Sequence, residues 1–377
     1  FQFGGDFNNE GDVNVAAGQT LTFGNSTTFN QDGGTLDIDG VFQMSTDTFN
    51  FNGGTITGEV DMVGGGTLAI GAGSTGAGVF NVSAGTTAIT GTVAAAQAIN
   101  VNGAATPAGL NASSGFTNGG VINLSTVGGG TATLSGSGPG VVNTGDINLN
   151  DAGGTGGLRI IPNSFNNQGT VDAFRSAAIG GALSVVDNFG TITSHDAANV
   201  ITFDGSSLTS HAGATLAGVG TMSFAGVTGG LVNNGNIDPG LSAGELRFVG
   251  DAGFGVTSNL LIELGGAAQG TEYDFLLGAD AISLGGDLSV SFLGGYEDLV
   301  GAGDTFTVLT ADGGLTGTFE ALPDGSLLDT TDGFGTFTVN YINDSVVLSG
   351  FVRIPEPSSL LLAGLAGVLL TGIRRRN

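Results

Sequence analysis

Apolar and polar positions alternate along most of this chain in short runs, each closed by glycine, asparagine or aspartate. Thr35-Leu36-Asp37-Ile38-Asp39, Val121-Ile122-Asn123-Leu124 and Leu288-Ser289-Val290-Ser291-Phe292 are examples. A period of two bounded by turn residues predicts short β-strands with one buried face. Outside the last residues no convincing amphipathic helix interrupts them. The nearest candidate, the Ala-rich stretch from Val93 to Ala98, is too short.

A repeat underlies the alternation. Phe7-Asn8-Asn9-Glu10-Gly11 recurs as Phe29-Asn30-Gln31-Asp32-Gly33, Phe49-Asn50-Phe51-Asn52-Gly53 and Phe116-Thr117-Asn118-Gly119. Later copies are Val142-Asn143-Thr144-Gly145, Phe165-Asn166-Asn167-Gln168-Gly169, Val186-Asp187-Asn188-Phe189-Gly190 and Val232-Asn233-Asn234-Gly235. Successive shared glycines lie 22, 20, 66, 26, 24, 21 and 45 residues apart, close to one, two or three units of 22. A strand-bearing unit of that length predicts an all-β parallel β-helix, a β-solenoid with ~22-residue coils. On this reading an apolar residue enters the interior, while Asn and Gly supply the positive φ of a tight corner. Coils stacked about 4.8 Å apart would align Phe, Val and Asn into ladders, and about ten coils before residue 230 would make a rod roughly 50 Å long. The signature fades over 54–115, where either irregular coils or an insertion would fit. An array of β-sandwiches is the alternative, but it would not require the same corner every 22 residues.

The chain changes character after Asn236. Asp238-Pro239-Gly240-Leu241-Ser242-Ala243-Gly244-Glu245-Leu246-Arg247-Phe248 is followed by Leu260-Leu261-Ile262-Glu263-Leu264, Tyr273-Asp274-Phe275-Leu276 and Thr305-Phe306-Thr307-Val308-Leu309. This order resembles the C-terminal solenoid segment of autotransporter-type passengers over about 238–320. The resemblance implies a β-rich cap that shields the strand edges at one end of the rod. The expected organisation is therefore solenoid repeats over 1–237, a cap region over 238–352 and a separate tail over 353–377.

That tail reads as an address. Pro355-Glu356-Pro357-Ser358-Ser359 precedes an apolar run from Leu360 to Ile373 and then Arg374-Arg375-Arg376-Asn377. The apolar run predicts a short hydrophobic helix, below the roughly 17–25 residues of a comfortable span. The arginines would favour the cytoplasmic side and leave the body outside. The arrangement resembles the PEP-CTERM sorting tail of bacterial envelope proteins, which a membrane-embedded exosortase recognises and removes near the Pro-Glu-Pro. The resemblance implies a sorting motif at Pro355, Glu356 and Pro357, a membrane stop at Arg374, Arg375 and Arg376, and an exosortase-type partner. An ordinary C-terminal anchor is the alternative; both imply export. The chain begins at Phe1 without a leader, so export would mean that a signal peptide has been removed or omitted.

Charge narrows the partners. The net charge is −26, every one of the seven basic residues is arginine, and without the tail 32 acids would face 4 arginines. Such a surface repels nucleic acid and anionic lipid, because phosphate binding relies on clustered Lys and Arg. Charged residues are nevertheless only 11% of the chain and hydrophobic ones 40%, enough for a core rather than a disordered polyelectrolyte. Cysteine is absent, so disulfides and thiolate metal sites are excluded.

Most chemical motifs dissolve on inspection. Gly71-Ala72-Gly73-Ser74-Thr75-Gly76 has dinucleotide-loop spacing but no following helix, and a chain with 73 glycines yields such matches by chance. Gly240-Leu241-Ser242-Ala243-Gly244 has nucleophile-elbow spacing, yet His195 and His211 both precede Ser242. Ser194-His195-Asp196 is no triad, since triads assemble in space. No cofactor is expected. Calcium is the one conceivable ion, through Asp32, Asp37 and Asp39 or Asp146 and Asp151, and solvated carboxylates beside turns explain them more simply. Arg175, about one coil from Asp172 and His195, is the best assembly for a lyase or hydrolase, and a surface ion pair is its plain alternative. Asn25, Asn81, Asn111, Asn123 and Asn343 begin Asn-x-Ser/Thr triplets, as composition alone would produce. The reading is an exported, non-enzymatic structural or adhesive rod that meets envelope components or extracellular polysaccharide. A β-helix polysaccharide lyase or hydrolase is the alternative.

Overall fold

A computed structural model describes residues 2–354 except 4 and 25. The sorting motif Pro355–Pro357, the apolar run and Arg374–Arg376 lie outside the described residues. The body is an all-β parallel β-solenoid. One long sheet stacks fourteen strands in a single row, from Gln2–Phe3 through Val41–Ser45, Gly78–Ser83, Gln97–Gly103 and Val121–Thr126 to Asp287–Phe292. Each strand of this sheet pairs in parallel with the coil before and after. The stacking runs unbroken across residue 237, where Asn236–Pro239 pairs with Asn259–Leu264. Among the described residues the only helical element is a 3-10 turn at Tyr296–Asp298.

Most turns carry three strands. One runs Val121–Thr126, Ala132–Gly136 and Val141–Asn143 before returning to the long sheet at Asp146–Asp151. Alternation sets which side chains enter. Phe80, Ile99, Ile122, Ile147 and Val171 form one fully buried column, each in register with the next. In the first coils the interior is aromatic. Phe7 stacks on Phe29 at 5.1 Å and Phe29 on Phe49 at 5.3 Å, the separation that in-register strands impose on like side chains. Residues 54–115 are regular coils, so they are not an insertion. In one of these coils a single long strand, Gly85–Val93, takes the place of two shorter strands and the corner between them.

The corners meet the expectation of positive φ in the first coils, at Gly34 and Gly54, and depart from it later. Asn118, Asn143, Asn167 and Asn188 do not take positive φ; their side chains are fully buried and form a ladder. Nor do Gly145, Gly169 and Gly190 take positive φ. Glycine is required there because a Cβ would lie 2.1 to 2.2 Å from the carbonyl oxygen of the glycine one coil away. Stacked corners pack backbone on backbone, and only hydrogen fits between them.

At the C-terminal end the parallel order gives way. Phe306–Ala311 pairs antiparallel with Ser345–Arg353, which pairs with Gly335–Ile342 and that in turn with Ser326–Asp329. Phe292, Phe337 and Phe351 cluster beneath this hairpin with ring separations of 4.9 to 6.0 Å. The outer edge of Phe306–Ala311 is thereby paired with an antiparallel strand rather than with a further parallel coil.

Candidate functional site

The outward face of the long sheet carries a row of amides. Asp61, Asn81, Asn100, Asn123, Asn148 and Asp172 occupy successive coils at one register position. Each asparagine sits between two buried apolar neighbours, as in Phe80-Asn81-Val82 and Ile122-Asn123-Leu124, so strand alternation points it outward. The amides hydrogen-bond in one direction. Asn148 Nδ2 donates to Asn123 Oδ1, Asn123 Nδ2 to Asn100 Oδ1, and Asn100 Nδ2 to Asn81 Oδ1, each at 2.9 Å. Asn81 Nδ2 ends the series on two carboxylates, Glu59 at 2.7 Å and Asp61 at 3.1 Å. Aligned amide dipoles polarise one another, and a terminal anion at the accepting end strengthens the series.

Beside this row lies an open groove of about 820 Å³, lined by Asp61, Asn81, Asn100, Asn102, Asn123 and Ser125 among others. Asn102 keeps a buried Oδ1 without a hydrogen-bond partner. In the sequence Asn81 and Asn123 stand out as Asn-x-Ser/Thr triplets, and Asn123 as a polar position of an alternating strand, but nothing joins them into a row. The legible signal was an asparagine between two apolar residues recurring at separations of 19, 23 and 25.

Asp172, at the far end of the row, is where the catalytic candidate falls. The structure brings His195 to it, with Nε2 2.7 Å from Asp172 Oδ1, and stacks the imidazole on Phe174 at 4.3 Å. Arg175 donates from Nη1 to Thr126 Oγ1 at 2.6 Å. A second copy of the motif exists on another corner: His211 bonds Asp187 at 2.8 Å and stacks on Phe189 at 3.9 Å. Two Asp-x-Phe segments, each meeting a histidine one coil later, are how a repeated fold ties neighbouring coils. Ser194 points inward while its neighbour His195 points out, so Ser194-His195-Asp196 does not converge.

Among the described residues the one strongly perturbed carboxyl lies elsewhere. Asp274 is fully buried, accepting the Gly244 N–H on Oδ1 at 2.9 Å and the Glu263 N–H on Oδ2 at 2.7 Å. It clamps the Gly240–Gly244 turn to the neighbouring strand, which explains the Ser242 motif as a turn. Burial pushes this carboxyl up to about 8, with Glu263 and Asp238 adding to the push and the two amide donors opposing it. Burial and Glu263 likewise raise Asp238. Because the folded value exceeds the usual 3.8, the folded state holds the proton more tightly. This contribution to stability is complete below about pH 4 and is lost as pH rises toward about 8. Denaturant midpoints measured from about pH 5 to about pH 9 should therefore fall, with a shallower fall in Asp274→Asn. An identical slope in both proteins would exclude Asp274 as the source.

The remaining candidates resolve simply. Gly71–Gly76 is the turn between two strands, Gly66–Ile70 and Gly78–Ser83, with no helix after it. Asp37 accepts from Asn14, Asp32 from Asn52 and Asp146 from Thr170, all rungs between coils. Among the described residues no three of His, Asp or Glu converge to hold a metal ion, and no helix is long and apolar enough to cross a membrane. No family model matches the chain, and no curated protein matches it.

Proposed function

We propose that this chain is an exported, non-enzymatic structural or adhesive element of the bacterial cell envelope or extracellular polysaccharide matrix, sorted through its C-terminal tail. The observation that supports this most is the continuous outward face of the solenoid. It is a stiff strip carrying repeated polar groups, on a chain of net charge −26 whose end resembles a sorting tail. A rod of this kind works passively, by presenting the same groups at each coil to a partner that also repeats. Exosortase-type processing would act at Pro355–Pro357, with the apolar run held in the membrane until cleavage and Arg374–Arg376 as its cytoplasmic stop. Calcium has no role in this reading.

Intact mass and the C-terminal peptide of the native protein, taken from cell envelope and from medium, test the sorting step. A mature end near Pro355 is expected. A retained Arg374-Arg375-Arg376 tail found only in membranes would make it a permanent anchor and sink the processing step. The His195–Asp172 pair near Arg175 is the observation behind a second reading, a polysaccharide lyase or hydrolase. Release of reducing ends or unsaturated uronates, lost in Arg175→Ala, would establish it.

A further inference from the structure

We infer that the amide row of the long sheet is a binding subsite for a linear hexosamine glycan, uncharged or amine-bearing, laid along the rod axis. This deepens the matrix role proposed above and rests on it. Four features point to that ligand class. The row is linear and repeats at each coil, about 4.8 Å apart, a spacing comparable to one pyranose ring of an extended chain. Its four central groups are amides, donors and acceptors together, which suit a ligand rich in hydroxyl and acetamido groups. Asn100 donates one N–H and accepts one bond within the row, so one N–H and one lone pair stay open to the groove. The Ser83 and Ser125 hydroxyls of the groove lining add groups that can both donate to and accept from a sugar hydroxyl.

Other partners fit less well. The backbone groups of these strands are already paired on both sides, so a peptide cannot add as another strand. The lining holds no aromatic side chain of the kind that anchors protein interfaces. Charge then chooses among glycans. The chain has no lysine, no lining residue is an arginine, and Asp61 and Asp172 bracket the row, with Glu59 beside Asp61. The charged groups of the lining and its Asn81 end are carboxylates, which would repel a polyuronate, whereas an amino group on a hexosamine would find Asp61 and Glu59 there. Asp172 at the other end is already bonded to His195. Arg175 is engaged with Thr126, at the end of the strand that supplies Ser125.

Calorimetric titration of the full chain in mild detergent tests this with three probes: an N-acetylglucosamine hexamer, its deacetylated form and an oligogalacturonate, each with and without calcium. The deacetylated hexamer should bind tightest, the acetylated one more weakly and the uronate not at all. The double variant Asn100→Ala/Asn123→Ala should weaken both hexosamine oligomers about tenfold or more. Glu59→Gln/Asp61→Asn, which keeps the shape of the row and removes both carboxylates at the Asn81 end, should remove only the preference for the amine. That preference should also shrink between about 0.05 and about 0.5 M salt. Melting temperatures close to the parent's would show that these variants fold. Uronate binding at equal strength, above all if Arg175→Ala removes it, would overturn the assignment. So would hexosamine binding that ignores Asn100 and Asn123, or no binding of any probe. A protein processed at Pro355 that binds none of them would keep its envelope role and lose this site.

Discussion

Replacing Asn143 by alanine is expected to cost about 3–5 kcal/mol, a large share of the stability of any single domain. Asn143 is fully buried at the end of the third strand of its turn, Val141–Asn143. Its Oδ1 accepts from Asn118 Nδ2 at 2.8 Å, and its Nδ2 donates to Asn167 Oδ1 at 2.8 Å and to the Thr170 carbonyl at 2.9 Å. The ladder continues from Asn167 to Asn188 at 2.8 Å. Alanine would strand a donor on Asn118 and an acceptor on Asn167, both fully buried, and free the half-buried Thr170 carbonyl, at about 1–3 kcal/mol each before relaxation. Aspartate should be worse near neutral pH. Its second oxygen would face the Asn167 Oδ1 and the Thr170 carbonyl, and protonation at low pH would restore a donor there. Urea denaturation of both variants at about pH 4 and about pH 7 reads this directly. An alanine variant within about 1 kcal/mol of the parent would mean that the ladder fixes register without stabilising the fold.

Gly169→Val should prevent correct stacking at the corner or cost about 3 kcal/mol or more. A Cβ at residue 169 would lie 2.1 Å from the Gly145 oxygen, against the about 3.5 Å that non-bonded heavy atoms require. The same contact recurs from Gly145 to Gly120 and from Gly190 to Gly169, so the column cannot relax by shifting one coil without compressing the next. Gly181→Ala is the control: its Cβ would meet nothing closer than 3.8 Å, and φ there is not left-handed. Thermal melts should separate the two variants clearly. If Gly169→Val melted with Gly181→Ala, the close approach would not be what demands glycine.

Much of the architecture was legible because a solenoid is nearly one-dimensional. Each coil contacts its neighbours, so a period of about 22 residues carries the fold almost alone. The alternation in Val121-Ile122-Asn123-Leu124 already says which side chains enter, and the structure buries Ile122 and Leu124 accordingly. What each corner residue does was not legible. Asn143 and Gly145 read as turn formers because both types tolerate positive φ, yet one is a buried hydrogen-bond rung and the other a point of backbone contact. Those roles depend on the atoms of the adjacent coil, which lie 21 to 25 residues away in sequence.

The amide groove follows the same rule. The sequence alone determined that asparagines recur between apolar neighbours, that the chain is strongly acidic without lysine, and that the tail has the composition of an address. Only the tertiary structure decided that Asn81, Asn100, Asn123 and Asn148 share one register position, donate in one direction and end on Glu59 and Asp61. Coil lengths here vary, and a shift of one residue would turn every one of these side chains inward. Register is therefore set by packing between coils, which no single stretch of sequence contains.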